Sequence, residues 1–217
     1  TLSSSSAASD VYKRQTEYYP SYEDLAFARD TKWDEFFRAL IGANIYDIAV
    51  NNTTTSKTVV GEGYSTSVNV TVQNQGVYTE TINITIYANT TIIANVEDVT
   101  VEGGNFTTIT FMWNTSGFAK GNYTIKAYAW PLSGEIDTLD NNCTFAGLVF
   151  VTIAGDVTSA SGSPDGRVDM RDIGLLCYNF MTTPSHPQWN PNNDINDDGV
   201  VNMRDIGIAC NNYMIDP

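Results

Sequence analysis

Ser67-Val68-Asn69-Val70-Thr71-Val72 and Thr81-Ile82-Asn83-Ile84-Thr85-Ile86 alternate between β-branched apolar residues and short polar ones. A period of two puts the apolar set on one face of an extended chain and the polar set on the other, so each stretch predicts a strand with one buried and one wet face. Working outward, runs of the same Val, Ile, Thr and Tyr texture at 45–50, 92–101, 107–113, 123–130 and 148–153 bring the count to about seven strands. Gly61, Gly63, Gly76, Gly103, Gly104, Gly117, Gly121 and Gly134 fall between the runs as turn residues. Short, evenly punctuated strands predict an immunoglobulin-like β-sandwich over residues 45–153, so the fold class is mainly β.

The outward positions of this segment carry a second signal. Asn-x-Ser/Thr occurs at Asn51, Asn52, Asn69, Asn83, Asn89, Asn105, Asn114, Asn122 and Asn142, nine sequons with none before residue 50 or after residue 150. Asn69 and Asn83 fall on expected solvent faces of strands, where a glycan projects without opening the core. This predicts an N-glycosylated segment of an extracellular or cell-surface protein.

Charge and composition exclude several function classes. The chain of 217 residues has 25 acidic against 11 basic residues, a formal charge of −14, which repels phosphate backbones and argues against nucleic acid as a partner. One histidine, His186, and three cysteines leave little material for a catalytic triad, a His-based metal site or a zinc ribbon, so the expectation is no enzyme. No stretch approaches the roughly 18–20 continuous apolar residues of a transmembrane span.

Two segments precede the sandwich. The serine-rich Thr1–Gln15 stretch has no hydrophobic period, and residues 1–21 are read as a disordered or artefactual head. Leu25, Trp33, Phe36, Phe37 and Leu40 recur at mostly three- and four-residue steps, predicting an amphipathic helix within 22–44 that stops at Gly42.

The tail, residues 154–217, aligns on itself with an offset of 33. Asp165-Gly-Arg-Val-Asp-Met-Arg-Asp-Ile-Gly-Leu-Leu-Cys lies over Asp198-Gly-Val-Val-Asn-Met-Arg-Asp-Ile-Gly-Ile-Ala-Cys. Each copy is a polar loop running into a helix, with Ile173, Cys177 and Phe180, and equivalently Ile206, Cys210 and Tyr213, expected on its apolar stripe. The second loop puts oxygen side chains of Asp194, Asn196, Asp198, Asn202 and Asp205 at positions 1, 3, 5, 9 and 12 of an EF-hand-type loop. Gly199 stands at position 6, and Val200 offers its carbonyl at position 7. Such hard oxygen donors select Ca²⁺ over Zn²⁺. The first loop matches with Asp165, Gly166, Arg167, Asp169 and Asp172 at positions 5, 6, 7, 9 and 12. Counting back puts Ser161 and Ser163 at positions 1 and 3, but Asp156 is the preferred first ligand, with an insertion of about five residues. Two Ca²⁺ ions are therefore the expected cofactors.

Two family resemblances follow from these motifs. Ser56-Lys-Thr-Val-Val-Gly61 through Val72-Gln-Asn-Gln-Gly76, then Phe111-Met-Trp-Asn-Thr115, Gly121-Asn-Tyr123 and Asp140-Asn-Asn142, resemble the cell-adhesion-related (CARDB) family of bacterial and archaeal surface proteins. That resemblance implies a non-enzymatic spacer or adhesion unit. A cation at the turn carrying Glu135, Asp137, Asp140 and Asn141 is a weaker expectation than a solvated acidic turn. The duplicated loop-helix, introduced by Gly155-Asp156-Val157 and joined through Pro184, Pro187 and Pro191, resembles a dockerin domain. That implies two Ca²⁺ ions and a small helical domain that docks on a cohesin-like module. It also puts Met170-Arg171 and Met203-Arg204 at the partner-reading positions, where cellulosomal dockerins often carry small hydroxyl residues. That departure from the cellulosomal pattern, with the duplication, leaves a second copy of the chain as an alternative partner, with head-to-tail filaments as the consequence.

Cys177 and Cys210 are equivalent core positions in this reading, with a disulfide and buried free thiols both open, and Cys143 remains odd. The functional expectation is a structural or adhesive surface glycoprotein with a Ca²⁺-stabilised docking tail. The rival readings are a non-catalytic piece of a secreted enzyme carried on a cohesin-bearing scaffold, and a carbohydrate-binding module using Trp113, Tyr128 and Trp130.

Overall fold

The structure is a computed structural model that describes residues 45–158 and 160–214. The expected head at 1–21 and helix within 22–44 lie outside the described residues. Ten strands are seen: β1 (Ile48–Thr55), β2 (Val59–Gly61), β3 (Ser65–Asn74), β4 (Glu80–Ala88), β5 (Thr91–Val101), β6 (Phe106–Asn114), β7 (Gly121–Tyr123), β8 (Ile125–Ala129), β9 (Asn142–Thr144) and β10 (Val149–Thr152). They form sheets in the orders β1-β3-β6, β2-β10-β7 and β5-β4-β8-β9. The described residues are thus mainly β, and the helices among them are two short ones, α1 (Met170–Tyr178) and α2 (Met203–Asn211), with a 3₁₀ turn at Pro191–Asn193.

Alternation determines which side chains fill the space between sheets. Val68, Val70 and Val72 on β3 are fully buried, and Ile82, Ile84 and Ile86 on β4 are at most 2% exposed. They meet Ile125, Ala127 and Ala129 of β8 and Val149 and Val151 of β10 in one hydrophobic cluster. Burying each such Val or Ile side chain contributes about 1.5–3 kcal/mol, and their concentration in the central strands makes this layer the stable part of the fold.

Two boundaries differ from the sequence reading for stated reasons. The ladder of β1 continues to Thr55 because a bulge between Val50 and Asn52 absorbs the break in alternation, turning both Asn51 and Asn52 outward. The run 123–130 divides at Thr124: β7 pairs with β10, whereas β8 pairs with β4. Asn89, at a positive φ of 55°, fixes the division by exchanging hydrogen bonds with Thr124.

The tail packs its own cluster, in which Val157, Val168, Leu176, Ile195, Val201, Ile206 and Ala209 are buried. Leu176 and Ala209 take the core positions expected for Cys177 and Cys210, and both cysteines are exposed and free. The helical stripe runs Ile173-Leu176 and Ile206-Ala209, one step earlier than the sequence reading, because the capped aspartate of each helix is itself buried and rotates the helix toward it.

Tail and sandwich interlock within one compact unit that starts at Tyr46. Lys57 of the β1–β2 connection, 3% exposed, donates to the Asp194 carbonyl at 2.5 Å and pairs with Asp197 at 3.1 Å. The Asn192 side-chain oxygen accepts from the Thr58 and Val59 N–H groups at 2.8 and 3.0 Å, and the Asn212 amide donates to the Ala154 carbonyl at 2.8 Å. Within the tail Gly155 packs closely on α2: at φ +102°, a Cβ there would stand 2.5 Å from the Ala209 Cα.

Candidate cation loops, sequons and helix ends

Each tail helix begins from a capping box. The Asp169 carboxylate accepts from the Arg171 N–H while Asp172 accepts from the Asp169 N–H; Asn202 and Asp205 repeat this around α2. Two unsatisfied donors at each helix start are met this way, so the acids at loop position 12 also begin the helices.

The buried acids follow the same plan in both copies. The Asp194 carboxylate accepts from the Asp198 and Gly199 N–H groups at 3.1 and 2.8 Å. Asp156 accepts from the Asp165 and Gly166 N–H groups at 3.2 and 2.8 Å. Asp205 accepts from Ile195 and Asn196, and Asp172 from Val157 and Thr158. Asp156 therefore holds the place of Asp194, and the insertion lies between it and Asp165. The same superposition gives Thr158 the place of Asn196. Sequence reasoning missed Thr158 because counting back from Asp165 reaches Ser161 and Ser163 instead; the recurrence of an Asp two residues before a hydroxyl or amide was the available signal.

Asp156, Asp172 and Asp205 are at most 1% exposed and Asp194 is 2% exposed. Burial pushes the Asp156 carboxyl up, outweighing its bonds from the Thr152 hydroxyl and the Gly166 and Asp165 amides, and Asp172 raises it further. Burial likewise raises Asp194, and Asp205 adds to the rise while Lys57 opposes it. Asp198 is held below its ordinary value, chiefly by the Asn196 amide, with further help from Asn202, Val200 and Arg204.

The second loop is the better gathered. Asn196 donates to Asp198 at 3.0 Å, and Asn202 reaches both the Asp198 carboxylate and the Val200 carbonyl at 3.3 Å. In the first loop Asp165 accepts from the Arg167 N–H, and Asp169 engages Arg171, so these two side chains serve their own turns. Among the described residues no three His, Cys, Asp or Glu side chains converge as a metal-binding group. The donor set of the second loop includes amides and a carbonyl, and Asp205 is turned toward backbone N–H groups.

The two copies also exchange backbone bonds. Met181 following α1 donates to the Val201 carbonyl at 2.7 Å, and Met214 following α2 donates to the Val168 carbonyl at 3.0 Å. Both valines are fully buried, and this reciprocity relates the repeats by a local two-fold. Met170 and Met203 lie 66% and 65% exposed at the helix starts. Beside them, Arg171 pairs with Asp169 at 2.9 Å and Arg204 with Asp198 at 3.3 Å, both at exposed sites. The methionines stay out of the tail core while the arginines lean on loop carboxylates.

Eight of the nine sequon asparagines are exposed and Asn69 is half-buried, its oxygen accepting from Thr110. The aromatic face expected for sugar is corrected in one member. Trp113 is 2% exposed and packs edge-on against Phe118 and Tyr123 at 5.3 and 5.6 Å, so no ring can stack on it, whereas Trp130 is 53% exposed. At the acidic turn the Glu135 carboxylate accepts from Ile48 and Leu132 at 2.7 Å, serving as a backbone clamp.

No family model matches the chain, and no curated protein matches it. Solved structures do resemble it over the sandwich half. A crystallised CARDB domain from Pyrococcus furiosus, in complex with di-metal ions, is 23% identical, with 51% of this chain and 96% of that one covered at a TM-score of 0.43. Its solution structure gives 24% identity, 50% and 96% coverage and a TM-score of 0.41. A domain of a putative cell surface protein from Methanosarcina acetivorans is 22% identical, covering 49% of this chain and 92% of that one at a TM-score of 0.40. The chain is thus similar to CARDB domains over about half its length.

Proposed function

We propose that this is a non-catalytic, extracellular or cell-surface glycoprotein segment: an immunoglobulin-like, CARDB-like sandwich whose dockerin-like tail is locked by two Ca²⁺ ions and docks on a protein partner. The observation that carries this reading is the repetition, in two loops, of a pair of buried aspartates around the same glycine turn, Asp156 with Asp172 and Asp194 with Asp205. Four buried carboxylates with Lys57 as the cation near one pair are costly without a compensating charge. A Ca²⁺ ion held by Asp194, Asn196, Asp198, Asn202, Asp205 and the Val200 carbonyl, and a second near Asp156, Asp165, Asp169, Asp172 and the Arg167 carbonyl, supplies that charge. The exposed Met170-Arg171 and Met203-Arg204 pairs suit a cohesin-like module or a second copy as partner. The exposed sequons suit N-linked glycans.

Calorimetric titration of chelator-treated full chain with CaCl₂ tests the reading. Two ions per chain with a gain in helical circular dichroism are expected; less than one ion per chain refutes it. Sedimentation with and without Ca²⁺ then reads self-docking.

A further inference from the structure

The outer face of sheet β5-β4-β8-β9 carries a groove of about 310 Å³ that the cation loops do not use. Asn83, Thr85 and Tyr87 line it from β4, with Asn95 and Glu97 from β5 and Trp130 just beyond β8. Trp130 is exposed yet fixed. Its indole N–H donates to the Thr85 hydroxyl at 2.9 Å, its backbone N–H donates to the Asn83 carbonyl at 2.9 Å, and Tyr128 braces the ring edge-on at 5.5 Å. With the indole donor used internally, the ring offers solvent an apolar face held in one orientation. A rigid aromatic face rimmed by amides and a carboxylate suits a pyranose ring, whose C–H side stacks while its hydroxyls meet the polar rim.

Asn83 decides which sugar. It opens the sequon Asn83-Ile84-Thr85, and its carbonyl accepts from the Trp130 N–H at 2.9 Å one residue beyond the paired Ile84 and Ala129, with both side chains lining the groove. The bulge between Ile82 and Ile84 brings the Asp98 N–H to its Oδ1 at 3.1 Å, so the amide is pinned through oxygen and Nδ2 is left for a linkage. At Asn51, Asn89, Asn105 and Asn142, by contrast, Nδ2 donates within the protein. We propose that the glycan on Asn83 folds back onto Trp130 and fills this groove, making its first sugar part of the sheet's outer packing. The proposal rests on the glycoprotein reading. In the linkage, Nδ2 exchanges one hydrogen for the anomeric carbon of a glycosyl phosphate donor, whose phosphate carrier leaves as that proton is released.

The full chain made in an N-glycosylating host and in a host without that pathway provides the test. Glycopeptide mapping reads occupancy first: a bare Asn83 from the glycosylating host means the glycoprotein reading fails at this site and overturns the proposal with it. With Asn83 occupied, Asn83→Gln should lower Tm by about 2–4 °C beyond its effect in the bare protein, the scale of one favourable contact in a chain this size. That excess should vanish in Trp130→Ala. Sugar C–H proton resonances should move upfield through the indole ring current and return in Trp130→Leu. Occupied Asn83 with a Tm loss indifferent to Trp130, and unshifted sugar protons, would overturn the proposal. So would saturable binding of free N-acetylhexosamine to the Trp130 ring of the bare protein without any such coupling, which assigns the groove to an external sugar.

Discussion

Replacing Lys57 by Met leaves the aliphatic stem in place and removes only the ammonium. That group is 3% exposed and touches two acceptors across the junction of sandwich and tail: the Asp194 carbonyl at 2.5 Å and the Asp197 carboxylate at 3.1 Å. The first contact is a hydrogen bond with a charged donor inside the protein, a class that contributes about 1.5–3 kcal/mol. The second ends on a carboxylate 36% exposed, which regains water when orphaned, so it adds at most about 1 kcal/mol. The substitution should therefore cost about 1.5–4 kcal/mol, and at roughly 2–4 °C per kcal/mol for this size Tm should fall by about 3–16 °C. Urea unfolding followed by circular dichroism gives the free energy directly, and an unchanged slope shows that the same surface is exposed. Asp197→Asn supplies the control and should cost less than 1 kcal/mol. The reasoning is refuted if Lys57→Met stays within about 0.5 kcal/mol of wild type, or if Asp197→Asn costs as much as Lys57→Met.

Leu176→Ala should lose about 2–5 kcal/mol, because Leu176 is fully buried at the centre of the tail cluster, whereas Cys177→Ala beside it should be nearly neutral. Native protein should react promptly with a thiol reagent at both Cys177 and Cys210; protection of either would contradict their exposure. Gly155→Ala should cost about 1–3 kcal/mol from its positive φ alone, before the clash with Ala209, and a neutral result by thermal melting would refute the close approach. Asp140 is raised by burial and then by Asp47, with Asp137 and Glu135 adding to it, so its folded value lies above its unfolded one. Its ionised form costs stability at neutral pH, and that cost fades as pH falls through the folded value. Asp140→Asn should accordingly be more stable than wild type in urea unfolding at pH 7, with the gap closing as pH falls through the folded value.

The strands were legible because alternation is local: Ser67–Val72 and Thr81–Ile86 each state which side is buried without reference to any other segment. The tail repeat was legible for a similar reason, since a loop that must turn at Gly199 and cap α2 through Asn202 and Asp205 needs fixed residues at fixed spacing. Register, helix phase and long-range partners were not. The cysteines looked like core residues because an isolated helix of nine residues has no reference for its rotation, and the buried Asp172 and Asp205 supply it only in the folded tail. Trp113 and Trp130 are the same residue type in similar strand contexts, and only the pairing of β6 with β3 against the extension of β8 beside β4 sends one into the core and the other to solvent. Sequence alone determined the periodicities, the sequons and the ligand-like spacing, all of which are properties of neighbours along the chain. Only the tertiary structure decided that Thr158 holds the place of Asn196 and that Lys57 reaches across 137 residues to the second loop, because backbone amides and a buried ammonium choose partners by distance in space and by exclusion of water.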